Sequence, residues 1–291
     1  MKIGFIGLGS MGRAIAANLL KGADDEVLVW NRSAAPVQEL AALGARGAGT
    51  PAEAFGADVV FTMLADDQAL REILLESGLF EQLEAPLILV NMATVSVAFA
   101  TELAQRCGAR GIAYVAAPVM GRPDAAAAAR LNILAAGPAD AVQALKPLFA
   151  RIGQKTWEFG EDAPKANVVK LAVNFMLASA VETLAEASVL TGAYGIAPAQ
   201  LLELITGSIF PGPVYQGYGA LIAGGRYEPA GFKAALGLKD LRLALAAGDA
   251  VSVPLPVGSV VRDSLIDAAA HAEGNMDLAV LGQVAARRAG R

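Results

Sequence analysis

Short, uniformly apolar runs recur through the first half of the chain at helix-length intervals. Residues 3–6 (Ile-Gly-Phe-Ile), 27–30, 59–63, 87–91, 112–115 and 132–135 do not alternate between apolar and polar positions. That pattern predicts strands buried on both faces rather than half-exposed ones. Between them, residues 11–21, 35–43 and 68–75 read as helices. The alternation predicts an α/β unit with a doubly wound parallel sheet covered by helices on both sides. The alanine run 125–129 predicts no more than a turn of helix, alanine being the best helix former.

From residue 163 the strand-like runs stop. Alanine-rich helical stretches take over, punctuated by Pro198, the Phe210-Pro211-Gly212-Pro213 cluster, Pro229, Pro254 and Pro256. This predicts two domains, 1–162 and 163–291, the second all-α. The most apolar long stretch, 168–190, carries Lys170, Asn174, Glu182 and Glu186, which favours a buried helix over a membrane span. A helix apolar on nearly all sides needs cover on several of them. A homodimer or homotetramer formed through the helical domain is therefore expected.

Composition narrows the function classes. A chain of 291 residues that is 55% hydrophobic has ample material for two cores, and its net charge of -5 lacks the basic footprint of a nucleic-acid binder. The single cysteine, Cys107, cannot form an intramolecular disulfide and reads as a buried small hydrophobe. The single histidine, His271, cannot make a metal site. No secretory leader pattern precedes the first strand, so a cytoplasmic protein with no membrane partner is expected.

The clearest chemical signal is the turn Gly7-Leu8-Gly9-Ser10-Met11-Gly12. It follows a predicted strand and opens a predicted helix, the setting in which G-x-G-x-x-G binds a dinucleotide. The first glycine permits the tight turn, the second lets the backbone approach a pyrophosphate, and the third packs the helix on the strand. Phosphates would then meet the helix N-terminus, with its unpaired N–H groups and partial positive charge. Sites for NAD usually place Asp or Glu at the end of the second strand to take the ribose hydroxyls. Here that place holds Trp30-Asn31-Arg32-Ser33. A guanidinium can grip a 2′-phosphate that a carboxylate would repel, so NADP(H) is the expected cofactor, with Asn31, Arg32 and Ser33 around it. Met63, Leu64 and Thr94, at the ends of later strands, are further cofactor candidates.

On these residues the chain resembles the β-hydroxyacid dehydrogenase family, which includes 3-hydroxyisobutyrate dehydrogenases and semialdehyde reductases. The resemblance rests on residues 4–12, on Tyr114-Val115-Ala116-Ala117-Pro118-Val119-Met120-Gly121, on Val169-Lys170-Leu171-Ala172-Val173-Asn174, and on Gly231-Phe232 with Leu238-Lys239-Asp240-Leu241. It implies a Rossmann domain followed by a helical one. It implies Lys170 as general acid/base with Asn174 one turn later, and Lys239 near the nicotinamide end of the cofactor. It further implies a substrate loop at Pro118, Val119, Met120, Gly121 and Arg122. An ammonium beside a carbonyl stabilises the charge that hydride addition builds on oxygen, and it can supply the proton.

The loop departs from the family's Asp-Ala-Pro-Val-Ser-Gly-Gly. Met120 stands for the serine and Arg122 for the second glycine, and methionine cannot donate a hydrogen bond to a carboxylate. Either Arg122 supplies a charge-assisted bond instead, or the substrate carries no carboxylate there. Ile209, Phe210, Val214 and Tyr215 offer additional apolar wall. The leading expectation is a small β-hydroxy acid or its semialdehyde as substrate. The alternative is an imine or hydrophobic ketone reductase, which Lys170 disfavours because imine reductases commonly carry Asp or Tyr in its place. A non-catalytic dinucleotide-binding module is a third reading from a different class.

Overall fold

The computed structural model describes residues 1–22 and 24–291. Six strands, β1 (Lys2–Ile6), β2 (Glu26–Trp30), β3 (Arg46–Gly47), β4 (Val59–Thr62), β5 (Ile88–Asn91) and β6 (Ala113–Ala116), form one sheet. Its order is β3-β2-β1-β4-β5-β6, and every pairing is parallel. Helices α1 (Ser10–Leu19), α2 (Ala34–Ala41), α3 (Pro51–Phe55), α4 (Asp67–Arg71) and α5 (Val97–Ala109) follow the first five strands in turn.

Successive strand residues feed two separate cores. Ile3, Phe5, Val27, Val29 and Phe61 pack with Ile15 and Leu19 of α1. Ile6, Leu28, Val60 and Leu89 pack on the other face with Phe55, Leu70, Phe99 and Leu103. Both faces of the strands are thus buried, which is why their sequences are apolar without alternation. The strand order reverses between β1 and β4, so the crevice for a ligand opens at the C-terminal ends of those strands. The expected helix at 68–75 is α4 continued by a π-helical turn, Glu72–Glu76.

The run 132–135, expected as one more strand of the parallel sheet, belongs elsewhere. β7 (Val119–Met120), β8 (Leu131–Ala135) and β9 (Gly153–Glu158) form a second sheet, with β7 antiparallel and β9 parallel to β8. The segment between β7 and β8 explains this. Its helix α6 (Pro123–Ala127) has five residues and spans about 8 Å, whereas a strand of that length spans about 17 Å. It is too short to serve as a parallel crossover, so the chain doubles back. Helix α7 (Ala139–Ile152) provides the longer crossover to β9.

The chain divides into two compact units, Met1–Lys170 and Leu171–Arg291. The division falls within α8 (Pro164–Ala193), which is long and apolar enough to cross a membrane by length and composition alone. The second unit is helical: α9 (Pro198–Gly207), α10 (Pro213–Ala223), α11 (Ala234–Ala250), α12 (Pro256–Ala270) and α13 (Leu281–Arg288). Three of the prolines that punctuate the sequence, Pro198, Pro213 and Pro256, sit in the first turns of α9, α10 and α12, where a missing N–H costs nothing. Val181, Leu184 and Ala185 of α8 join Leu241, Val261, Leu265 and Leu281 in a third core.

Candidate active site

Each glycine of the N-terminal turn has a separate physical reason. Gly7 has φ +95, and a Cβ there would meet Met63 O at 2.5 Å. At Gly12 a Cβ would come within 1.9 Å of Gly7 O, so no side chain can separate α1 from the turn. Gly9 is different, because a Cβ there would meet nothing within 4 Å among the described residues. Protein packing does not require glycine at that point. A ligand lying against the backbone does, so the turn fits a pyrophosphate.

The N-terminus of α1 suits the same group. No side chain caps it and its first turn carries no acid. The N–H groups of Ser10, Met11 and Gly12 therefore face outward with the positive end of the helix dipole. Leu8 N donates to Asn31 Oδ1 at 3.0 Å, while Asn31 Nδ2 donates to Ser33 Oγ at 2.8 Å. Asn31 thus braces the glycine turn against the loop after β2. Arg32, in that loop, is exposed and makes no hydrogen bond or ion pair among the described residues. Its guanidinium remains available for an anion.

The ends of β4, β5 and β6 are tied together by side chains. Buried Asn91 accepts at Oδ1 from Thr62 Oγ1 (3.2 Å) and Ala93 N (3.0 Å), and its Nδ2 donates to Tyr114 Oη at 3.3 Å. Burial pushes the Tyr114 hydroxyl well above its ordinary pKa, so it stays a neutral partner. Ser96 N and Oγ both donate to Asp67, at 2.9 and 2.5 Å, fixing the loop that holds Thr94. Met63 and Leu64 lie half-buried after β4. These braces escaped the sequence reading because their partners are 29 and 23 residues apart.

In the loop expected to meet substrate, Val119 and Met120 form β7 and pair with Ile133 and Asn132. Leu134 N donates to Pro118 O at 2.9 Å. Gly121 has φ +144, with Leu131 Cδ2 2.6 Å from where its Cβ would be. Arg122 is half-buried at the start of α6. The Met120 side chain is partly buried against the second core.

Lys170 is half-buried on α8, and Asn174 follows four residues later on the same helix face. Asn174 Nδ2 donates to Asp240 Oδ2 at 2.6 Å. Asp240 is 4% exposed and pairs through Oδ1 with Lys239 Nζ at 3.1 Å. One buried carboxylate on α11 therefore holds two of the expected site residues, a role that sequence spacing alone had not given it. The Gly231-Phe232 motif is fixed by buried Asp277, whose Oδ2 accepts from both backbone N–H groups at 2.9 and 3.0 Å. Phe210 and Tyr215 stack at 4.7 Å between centroids, and Ile209 is exposed. Cys107 is buried, and burial pushes its thiol up to about 12, so it is inert.

A six-stranded sheet in this order, with this glycine turn at its reversal point, defines a dinucleotide-binding Rossmann domain, and the relatives below make the protein an NAD(P)-dependent dehydrogenase or reductase. Residues 2–160 match the family described as the NAD binding domain of 6-phosphogluconate dehydrogenase. Residues 165–284 match the NAD-binding domain of NADP-dependent 3-hydroxyisobutyrate dehydrogenase. The chain is 44% identical to the uncharacterized oxidoreductase YfjR of Bacillus subtilis (strain 168), over 97% of this chain and 98% of that one. It is 30% identical to glyoxylate/succinic semialdehyde reductase 1 of Arabidopsis thaliana, over 97% of both. The solved structure of Mycobacterium tuberculosis 3-hydroxyisobutyrate dehydrogenase with L-serine superposes with a TM-score of 0.88, at 27% identity over 97% of this chain and 98% of that one. The chain belongs to the β-hydroxyacid dehydrogenase family.

Proposed function

We infer that this protein uses NADP(H) to interconvert a small β-hydroxy acid and its semialdehyde, with Lys170 as general acid/base. The observation that carries this reading is the supported lysine face of α8: Lys170 with Asn174 one turn on, and Asn174 held by the buried Asp240. Such a second layer of hydrogen bonds is what fixes a reactive side chain in one geometry. The nicotinamide supplies or takes the hydride when bound. Lys170 gives the proton to the carbonyl oxygen during reduction and withdraws it during oxidation, and its charge stabilises the developing alkoxide. Asn174 orients the lysine or the oxygen.

Preference for NADP(H) rests on Arg32, unpaired and with no carboxylate in the Asn31–Ser33 loop. The substrate class rests on two of the three named relatives: one is named a glyoxylate/succinic semialdehyde reductase, and the other was solved with L-serine. Arg122 is the residue assigned to a substrate carboxylate, taking the place of the serine that Met120 displaces. The imine reductase alternative loses ground because Lys170 is present. The helical unit exposes Met176, Leu190 and Tyr194 of α8 and its following turn, which supports pairing with a second copy in a homodimer or homotetramer.

The direct test is NADPH consumption with succinic semialdehyde, glyoxylate and a cyclic imine, alongside the Lys170→Met variant. The reading expects turnover of a semialdehyde or glyoxylate and its loss by orders of magnitude in the variant. A tenfold preference for the imine over every aldehyde would sink the substrate assignment. A monomer by light scattering would sink the assembly.

A further inference from the structure

The start of α8 carries a side chain that packing alone does not explain. Asn167 is 1% exposed, and among the described residues neither its Nδ2 nor its Oδ1 makes a hydrogen bond. A buried amide with both groups unsatisfied is strongly unfavourable, and native chains keep few of them. Leucine has nearly the same size and would carry no such cost. An asparagine in that setting points to work done by the amide.

Helix geometry identifies the polar groups at hand. Lys170 lies three residues on, about 60° around the helix and about 4.5 Å along it, and Asn174 lies seven residues on, only about 20° from Asn167. The three side chains form one stripe, with the lysine between two amides. Asn174 is already held by Asp240, while Asn167 has no such tie.

We propose that Asn167 is a positioning residue for Lys170, holding its amine in both protonation states. The amide oxygen accepts from the ammonium, and the amide N–H donates to the lone pair of the neutral amine. For either contact the Asn167 side chain must rotate, since neither group is bonded among the described residues. An amide serves a residue that must both give and take a proton, because it favours neither state by charge. A carboxylate in its place would only accept, and would hold the lysine protonated. Leucine would do neither. This assignment rests on the reading of Lys170 as general acid/base.

The experiment is a pH titration of the lysine side chains by NMR, using protein labelled with 13C at lysine Cε. The Lys170 resonance is identified by its loss in Lys170→Met. The titration is repeated in Asn167→Asp and Asn167→Leu, with thermal melts, NADPH affinity by fluorescence, and turnover of succinic semialdehyde across pH. Asn167→Asp should raise the Lys170 pKa by at least about one, as an opposite charge at that range does. Asn167→Leu should melt at the same or a higher temperature and bind NADPH normally, yet turn over at least tenfold more slowly. Identical Lys170 titrations in all three proteins would overturn the proposal. So would an Asn167→Leu protein that melts several degrees lower with its turnover intact, the mark of a purely structural amide. If Asn167→Asp does not fold, Asn167→Leu decides alone. Full turnover in Lys170→Met would remove the lysine's catalytic role, and the proposal with it. Loss of turnover there, with unmoved titrations in the Asn167 variants, overturns only the Asn167 assignment.

Discussion

Asn174 and Asp240, 66 residues apart in sequence, are joined by a 2.6 Å hydrogen bond from Asn174 Nδ2 to Asp240 Oδ2. The same carboxylate pairs with its neighbour Lys239 at 3.1 Å. Asp240 is thus the hinge-pin of the lysine face: it fixes one expected site residue and neutralises another. Replacing it separates the two roles. Asp240→Asn keeps an acceptor for Asn174 but removes the charge beside Lys239, whereas Asp240→Ala removes both. A hydrogen bond to a charged group contributes about 1.5–3 kcal/mol, so Asp240→Ala should cost roughly ten- to a hundredfold in kcat. Asp240→Asn should cost clearly less. Steady-state kinetics of both variants check this, and equal losses would mean the Asn174 bond is idle.

How far the site was legible depends on the range of each interaction. The glycine turn, the strand ends and Lys170 with Asn174 are local patterns, and the structure arranges the first strands and helices as their sequences predict. The sheet membership of residues 132–135 is not local. Their apolar run matches that of a parallel strand, and only the brevity of α6 turns it into β8 of a second sheet. β9 was invisible for a related reason: it is an exposed strand with Gln154, Lys155 and Glu158 along it, without the apolar run that marked the others. Asp240 was visible as a motif residue, but its tie to Asn174 depends on how α11 packs. Asn167 gave no signal at all, since an asparagine three residues before a lysine is unremarkable until its burial is known.

The cofactor preference has a sharp test at Arg32. Its guanidinium is exposed and unpaired in the structure, so its removal should disturb neither folding nor the backbone contacts to a pyrophosphate. Arg32→Ala should weaken NADPH by at least tenfold, the scale of one charge-assisted hydrogen bond to a phosphate at about 1.5–3 kcal/mol. NADH binding should change little. Fluorescence titration of both cofactors measures it, and equal losses would show that Arg32 does not read the 2′-phosphate.

Two glycines of one motif should behave in opposite ways. At Gly12 a Cβ would stand 1.9 Å from Gly7 O, a backbone atom that cannot move aside. Gly12→Ala should therefore destabilise the fold, lowering Tm by several degrees, as overpacking at about 1–3 kcal/mol does. At Gly9 nothing among the described residues lies within 4 Å of the same atom. Gly9→Ala should melt like the parent protein yet bind NADPH far more weakly, because the methyl occupies the pyrophosphate's approach. Thermal melts paired with binding isotherms separate the two, and a normal NADPH affinity in Gly9→Ala would remove the pyrophosphate from that spot.

The pH dependence of stability should carry the mark of Glu182. This α8 carboxyl is 5% exposed, and burial pushes its pKa above the ordinary value of 4.5, with Glu186 adding to the rise. Its hydrogen bond from Ser264 Oγ to Oε1, at 2.5 Å, and the charge of Arg288 work in the opposite direction. Oε2 has no partner. In the unfolded chain the group ionises near 4.5, while the folded chain holds its proton to higher pH. Between those two pKa values the folded state binds more protons, so stability falls as pH rises through the window and levels off above it. Glu182→Gln keeps the acceptor for Ser264 and has nothing to ionise. The variant should melt close to the parent protein at about pH 4, where the glutamate is protonated in both states, and above it at about pH 8. Melting curves that stay parallel across that range would mean that Glu182 pays no burial penalty in the folded protein.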